Sequence, residues 1–573
     1  MSSEKHANLG LHKWASTDGV LRTEFNDNFG KVDEKVAETE TKQKNVTLDV
    51  VQDLGITNDG TDVTNTLRTK LNSEANKTLL FPYSTEGFII NEVIIPLQKT
   101  LNGKLTSVKA TTADKKVFHF SNGSQFIYDA EVSRFIFSQP ASSDPSGTGT
   151  ANNHFSLTFS GAINSKSIFN TFKNAALGVS FGTGESTLPD RQGKYNLAAF
   201  NFFDGIEKMA IQNIGNAYNR IIGNVINGKG ANSHGVRITG YTLGADGLET
   251  PAKGNVVVGN IVSGTAVGYG LQKTAKFNSI SASHSKDITT SLIQLEVPGV
   301  VENIVEFNNF DGVTFENVEK VIESKSGQFN NFNIVGKGVN NQAIIEYASD
   351  AALGIKGHNH YSGIIKDVYD RAVDLRYPNN RLDLDLSNIL TKGSGIGVVL
   401  STNCHFTTGR IKIDGCQGSG VQIYSNNNTL ELSITNCTGT ALYVVGTGND
   451  IRINTDGNII IGGTGNKVHG YVGGTVTIEA TGAGTHDIAG LNGFSFRTRM
   501  INATTDASGY VFVDHNLKTT KVAAFVNHLG TTSTIAKISG VTSTQIQVLF
   551  KNTDGTTYVN QTVSFSVRAE ATS

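Results

Sequence analysis

The strongest constraint on this chain is a tally of asparagines that recurs from Gly254 to Val468. Each copy opens on an Asn followed by alternating apolar residues. Examples are Asn255-Val-Val-Val-Gly-Asn-Ile-Val, Asn380-Arg-Leu-Asp-Leu-Asp-Leu, Asn428-Thr-Leu-Glu-Leu-Ser-Ile and Asn449-Asp-Ile-Arg-Ile-Asn. Similar openings stand at Asn278, Asn309, Asn331, Asn359, Asn403 and Asn466, and upstream at Asn196 and Asn219. The interval is roughly 21 to 30 residues, the range of stacked repeat units. Counted from the Asn, the second, fourth and sixth residues tend to be apolar: Leu382, Leu384 and Leu386; Leu430, Leu432 and Ile434; Ile221 and Val225; Val257 and Ile261. The residues between them are often polar, as at Asp383, Asp385, Glu431, Ser433, Arg452 and Asn454. That is strand alternation, one face in and one face out.

Later in each copy a Gly or Ala precedes a second alternation: Gly235-Val-Arg-Ile, Ala372-Val-Asp-Leu, Gly420-Val-Gln-Ile, Ala441-Leu-Tyr-Val. Short strands at a near-constant interval, joined by Gly/Asn/Asp corners, predict an all-β, right-handed parallel β-helix. Its coils stack at about 4.8 Å. The Asn then repeats at one corner, its amide bonding to corner backbone and to the Asn above and below. A β-sandwich rich in Asn-Gly turns is the alternative, but sandwich strands keep no such internal register.

Four segments follow from the pattern. Residues 1–45 are an N-terminal arm and helix, 46–95 a cap, 96–499 the β-helix and 500–573 a C-terminal module. In residues 21–44, Phe25, Phe29, Val32 and Val36 fall on one helical stripe. Such a stripe fits a coiled-coil neck between identical chains, an anchor on a larger particle, or packing on the chain's own domain. In residues 501–573, alternating strands at Tyr510, Val522, Thr534, Gln545 and Val563 predict a small antiparallel β-sandwich.

Other features exclude function classes. The net charge of −2 argues against non-specific nucleic-acid binding. No apolar run approaches a membrane span, and the polar start MSSEKHANLG has no secretory core. The expectation is a protein made in a cytoplasm and not inserted in a membrane. Cys404, Cys416 and Cys437 are an odd number; Cys416 and Cys437 lie about one coil apart and are expected as stacked core thiols. No phosphate loop, HExxH, CxxC pair or nucleophile elbow is present. No cofactor and no metal site is expected; a divalent cation stays open.

What chemistry remains lies in carboxylates on outward faces. Outward residues two apart on a strand are ~7 Å apart and residues one coil apart ~5 Å. Both separations suit paired-carboxylate glycosidases. Asp383 and Asp385 form one such pair; Asp204 and Glu207, joined by Asp246 or Glu249, form a second. The irregular stretch Gly182–Lys194 holds Asp190 and Arg191, and an insertion spans Tyr241–Gly254. The two bracket coils with Arg220, His234 and Arg237, and solenoid insertions often mark the binding face. A row of outward residues, Arg237, Gln272, Asp374, Gln422 and Tyr443, reads as a trough for a polymer, with Arg237 and His234 placed to hold a phosphate or carboxylate.

One local pattern resembles a known family. Val51-Gln-Asp53-Leu-Gly55-Ile-Thr-Asn-Asp59-Gly60-Thr-Asp62, a helix-like Val63–Ala75, then Thr78-Leu-Leu-Phe81-Pro82 and Gly87-Phe-Ile-Ile90 resemble the opening of pectate-lyase-like β-helices in phage tailspikes and bacterial polysaccharide enzymes. Ile56, Asn58 and Val63 depart from that pattern; Gly55 and Gly60 keep it. Asp53, Asp59 and Asp62 are expected as turn and helix-cap residues. Leu9-Gly-Leu-His-Lys-Trp14 and Phe25-Asn-Asp-Asn-Phe29 resemble tail proteins of Bacillus-type phages. The resemblance implies a virion tailspike: a homotrimer attached to tail or baseplate proteins through its N-terminal segment. It implies binding of a host cell-wall glycopolymer, wall teichoic acid or similar, with or without cleavage. A dedicated depolymerase (glycosidase, lyase or phosphodiesterase) and a non-catalytic structural fibre are the alternatives. The C-terminal module resembles those that trimerise such chains or bind glycan.

Overall fold

A computed structural model describes residues 4–5, 12–13, 27, 30–39 and 47–480, the last without 75–76, 97–98, 113–115, 123–124, 141–154, 183–191, 230, 243–248, 297–303, 348–355, 391–394 and 480. Beyond these it describes 486, 488, 499–514, 522–528, 534–542 and 544–571. The chain divides into two compact units, Met1–Asp204 and Gly205–Ser573.

Both units are parallel β-helix. In the first, short strands Val93–Ile95, Phe118–Phe120, Leu157–Ser160 and Leu177–Gly182 pair in parallel. In the second, a short-strand sheet runs from Met209–Ile214 through His234–Thr239, Val267–Gln272, Ser291–Glu296 and successive coils to Val476–Ile478. Its companion sheet begins as split strands, Arg220–Ile222 and Val225–Gly228, repeated as Val256–Val258 and Ile261–Ser263. From Asn309–Val318 onward these merge into single strands of up to ten residues. Parallel strands one coil apart put like beside like. Phe137, Phe172 and Phe203 stack in the first unit at 5.0 and 4.7 Å between centroids, and Phe310, Phe332 and Tyr361 in the second at 5.0 and 5.1 Å. Leu382, Leu384, Leu386, Leu430, Leu432 and Ile434 are all buried. Cys416 and Cys437 stand in register and all three cysteines are free thiols, but only Cys404 and Cys416 are buried: Cys437 is half-buried, so the expected core pair is one core thiol beside a partly exposed one.

The asparagine corner is a hydrogen-bond ladder in two runs, Asn219 to Asn380 and Thr407 to Asn466. Backbone N–H of Asn219, Asn255, Asn278, Asn308, Asn330 and Asn359 each donates to Oδ1 of the Asn one coil on, at 2.9–3.1 Å. Most side-chain amides reach back as well: Asn278 Nδ2 donates to Ala252 O and Asn308 Nδ2 to Ala275 O, both at 3.0 Å. The ladder resumes at Thr407 N, which donates to Asn428, then runs through Asn449 to Asn466.

Three expected corner residues are corrected. The rungs are Asn308 and Asn330, not Asn309 and Asn331, which open the next strands side by side with Asn331 Nδ2 donating to Asn309 Oδ1. Asn403 is exposed, and Thr407 holds the rung. The register counts at Val225 and Ile261 also fail: Val225 is half-buried and Ile261 exposed, because a second corner, Asn224 stacked on Asn260, turns the chain. Ile226 and Val262 point inward instead.

The cap forms as read. Gly55 and Gly60 sit at φ +66° and +82°, the left-handed region glycine tolerates. Asp53, Asp59 and Asp62 accept backbone N–H from Asp49, Thr61 and Thr64. The helix Thr64–Ser73 buries Leu67 and Leu71 and packs on the strand Val93–Ile95. Residues 30–39 are helical, and the two stripe residues described there, Val32 and Val36, are exposed at 38% and 50%. Phe25 and Phe29 lie outside the described residues. The C-terminal module is a β-sandwich of two three-stranded antiparallel sheets. Arg499–Thr504, a strand the alternation did not flag, pairs with Thr562–Ala571, which pairs with Val522–His528. Tyr510–Asp514, Gln545–Asn552 and Thr534–Val541 form the other sheet. Val511, Val548, Phe550 and Phe565 are among the residues of its core.

Inside the second unit the side chain of Glu346 is fully buried. It accepts from Tyr361 Oη at 2.7 Å and from Arg376 N and Tyr377 N at 2.8 Å. Burial pushes its carboxyl up to about 7, against donors that favour the anion. A folded value above the unfolded one means stability is highest below the unfolded value and falls as pH rises toward 7. We expect Glu346→Gln to remove a loss on the order of 3 kcal/mol between pH 4.5 and 7, read from denaturation midpoints against pH. Asn428→Ala, which strands Thr407 N, is expected to cost about 1–3 kcal/mol in the same assay. Asn403→Ala is expected to stay within about 0.5 kcal/mol.

Candidate functional site

The long strands from His360–Val368 to Lys467–Val472 present their polar residues in rows, because strands in register repeat every second residue outward. One row is Ser362, Asp383, Arg410, Glu431, Arg452 and His469. The next is Ile364, Asp385, Lys412, Ser433, Asn454 and Tyr471. Between the rungs lie two adjoining grooves of about 420 and 360 Å³. Asp383, Thr408, Thr429 and Asp450 line the first, Lys412, Ser433 and Asn454 the second, and Arg410, Glu431 and Arg452 both. Charges of opposite sign alternate along the row.

Asp383 is the best-held carboxylate of this face. His360 Nε2 lies 2.9 Å and Arg381 Nε 2.8 Å from its Oδ2. Burial works to raise its carboxyl, but those hydrogen bonds and charges outweigh it and hold it below the ordinary carboxylate range. Asp385 projects from the same strand face, half-buried, with Arg410 Nη2 3.9 Å away. The two carboxylates therefore share one outer surface, about 7 Å apart by strand geometry. An ionised carboxylate beside a second one is what a general base needs; a general acid needs the opposite shift.

The other expected residues are placed as follows. Asp190, Arg191 and Asp246 lie outside the described residues. Glu249 pairs with Thr242 in a short antiparallel hairpin at the base of the insertion. Asp204, exposed, ends the first unit and pairs with Lys173; Glu207 is half-buried in the turn before Met209–Ile214 of the second. Arg220 opens a strand paired with Val256–Val258, in a different sheet from His234 and Arg237.

Most of the trough row exists, on the short-strand sheet. Register runs Arg237, Gly270, Gln294, Glu323, Ile345, Asp374, Val399, Gln422, Tyr443. Gln272 lies two residues along from that row, and its Oε1 accepts from Arg237 Nε at 2.9 Å. Burial, with the nearby Arg237 charge, lowers His234 to about 4, so at neutral pH the ring is neutral and offers no charge to an anion. Tyr443 Oη donates to Glu479 at 3.4 Å. The alternation did not single out Arg410, Glu431 and Arg452 as groove residues, although they stand at the same count from their corners as Asp383. Among the described residues no three His, Cys, Asp or Glu side chains converge as a metal site. No described helix is long and apolar enough to cross a membrane.

We expect His360→Ala/Arg381→Ala to move the Asp383 titration upward, followed by carboxyl NMR; an unmoved titration rejects the pairing. In the native chain the stabilisation from Asp383 is present above its unfolded value and is lost as pH falls through the folded one.

The fold is similar to that of a mutant tailspike protein of E. coli bacteriophage HK620 solved in complex with a hexasaccharide: TM-score 0.51, 10% identity, with 92% of this chain and 94% of that chain covered. A double mutant of the same tailspike aligns at TM-score 0.49 and 9% identity, over 92% of this chain and 94% of that one. No family model matches the chain. No curated protein matches it.

Proposed function

We propose that this chain is a phage tailspike-type protein that recognises a host cell-surface glycopolymer along the long-strand groove. The observation that carries this is the groove itself: charged and polar rungs repeating at about 4.8 Å over several coils, a surface suited to an extended polymer rather than a small molecule. The hexasaccharide bound to the similar tailspike adds support. The cap motif and the N-terminal residues favour the pectate-lyase-like, Bacillus-type members of that family, and with them a wall teichoic acid or a related polymer. Exposed Val32 and Val36 on residues 30–39 suit a neck between three copies or a contact with tail or baseplate proteins.

A second reading, depolymerase, is favoured by one observation: Asp383 lines the first groove, and Asp385 stands on the same strand face about 7 Å away. That separation suits an inverting glycosidase, in which water fits between base and sugar. In that reading Asp383, held ionised, takes the base role.

The test incubates purified protein with isolated host cell walls, and follows co-sedimentation and released fragments separately. Arg410→Ala/Arg452→Ala is expected to weaken binding about tenfold or more, since both guanidiniums line both grooves. Unchanged binding would remove the groove from the proposal. Asp383→Ala or Asp385→Ala is expected to stop fragment release and leave co-sedimentation. Release that survives both rejects the pair. Sedimentation velocity of the intact chain reports whether it is a trimer.

A further inference from the structure

Six phenylalanines among the described residues hold a positive φ: Phe169, Phe200, Phe277, Phe307, Phe329 and Phe406. That conformation is uncommon for a bulky side chain and strains the backbone. Five of the six lie face to face with another ring. Phe169 stacks on Phe200 at 5.5 Å, and Phe277, Phe307 and Phe329 form one column that ends on His358. Phe406 has no such partner among the described residues. Its aromatic contact there is edge-on, with His405, the centroids 6.4 Å apart and the planes at 71°. His405 is itself fixed, since its Nδ1 accepts the N–H of Asn426 at 3.0 Å.

Folding needs do not account for a ring at this position. Phe406 stands at φ +58°, directly before the rung Thr407. The coil before has Asn379 at that place and the coil after has Asn427, at φ +59° and +57°. Backbone hydrogen bonds link the three coils there: Asn379 N donates to His405 O and Phe406 N to Asn426 O. Asparagine adopts the left-handed conformation more readily than phenylalanine, so the column closes on either side without an aromatic ring. A single exposed Phe on relaxed backbone needs no explanation. This one is strained and 54% exposed, so neither core packing nor a stacked ring offsets the strain. Such uncompensated strain is characteristic of ligand contacts.

Its place agrees. Thr408, two residues on, lines the first groove. On the next two coils Thr429 and Asp450 line it as well, each two residues after its own corner residue, Asn427 and Gly448. Phe406 therefore stands beside the groove, at its corner edge.

We propose that Phe406 is a stacking plate for a pyranose of the polymer held in the groove, and hence that this polymer carries sugar rings there and not only an open polyol chain. The face of an aromatic ring is electron-rich, and the C–H groups on one face of a pyranose are its electropositive complement. Covering that face also removes apolar surface from water. The amides of Asn379 and Asn427, one coil away on either side, offer donors and acceptors to the sugar hydroxyls. The inference rests on the groove as the polymer site and adds the class of unit met at its edge.

The test is saturation-transfer NMR of the full chain with the methyl pyranosides of glucose, galactose and N-acetylglucosamine, and with ribitol 5-phosphate as a ringless probe. Co-sedimentation with isolated host cell walls is measured on the same variants. At least one pyranoside is expected to show transfer concentrated on the protons of one ring face, lost in Phe406→Asn and kept in Phe406→Tyr. Phe406→Asn is also expected to weaken wall binding about fivefold or more, as loss of one central aromatic contact does. Its melting midpoint is expected to equal or exceed the native one, because Asn relieves the strain. Phe277→Asn, on the same column but five coils away, is expected to leave wall binding unchanged. No transfer to any pyranoside, transfer or wall binding that survives Phe406→Asn, transfer to ribitol 5-phosphate that depends equally on Phe406, or a fall in the melting midpoint of Phe406→Asn overturns the proposal. Arg410→Ala/Arg452→Ala keeps the two readings apart. If it leaves wall binding intact while Phe406→Asn abolishes pyranoside transfer, the groove fails and the stacking plate stands. If it weakens wall binding while Phe406→Asn does not, the plate fails and the groove stands.

Discussion

The corner hydrogen bond of the asparagine ladder is the interaction on which the rest depends. A solenoid must turn its backbone sharply once per coil, and at the turn the N–H groups lose their strand partners while staying buried. A buried N–H without a partner costs on the order of 1–3 kcal/mol. An Asn solves this because its side chain carries both an acceptor and a donor. Oδ1 takes the N–H of the coil before, and Nδ2 reaches a carbonyl or the next Asn. Where the rung is Thr407, its N–H donates onward to Asn428 and its hydroxyl folds back to Cys404 O. Coil spacing, and hence every inter-coil row, is locked by this one column.

The ladder has a consequence for the surface. The residue before each rung is held at positive φ: Phe277, Phe307, Phe329, His358, Asn379, Phe406 and Asn427 lie between +54° and +59°, and Gly448 and Gly465 at +68° and +63°. Glycine and asparagine accept that conformation readily; phenylalanine does so at a cost. Over 277–358 the side chains stack, Phe277 on Phe307, Phe307 on Phe329 and Phe329 on His358, at 5.0, 5.0 and 4.8 Å. Each such pair contributes about 0.5–1.5 kcal/mol, comparable to the strain it offsets. The strict repeat thus makes tolerable a conformation that a lone Phe would resist.

The same geometry separates chemistry from stability. Inward positions are apolar in nearly every coil, and outward ones are released to carry charge. Long strands give rows of rungs, which is how Asp383 comes to lie beside Arg410, Glu431 and Arg452. Short strands bounded by tight turns keep their outward acids close to the sheet, which is how Glu323 and Asp374 come to be nearly buried on an outer face. Neither group needs a loop to hold it, and a strand in a stacked sheet positions a side chain more narrowly than a loop does.

Residues alone determined the period, the inward leucines, the cap turn with its aspartates, the stacked thiols and the outward placing of Asp383 and Asp385. Each follows from local chemistry: alternation, turn preference, and the cost of burying charge. Tertiary structure alone decided which of two neighbouring asparagines took the corner at 308 and 330, that Thr407 served at 407, and that a second corner at Asn224 and Asn260 turned Ile261 outward. Adjacent asparagines offer identical chemistry, so only stacking on the coil above and below tells them apart. It also decided which distant residues became neighbours. Coil lengths vary through insertions and alternate corners, and a row across coils is the sum of those lengths, which no single repeat encodes.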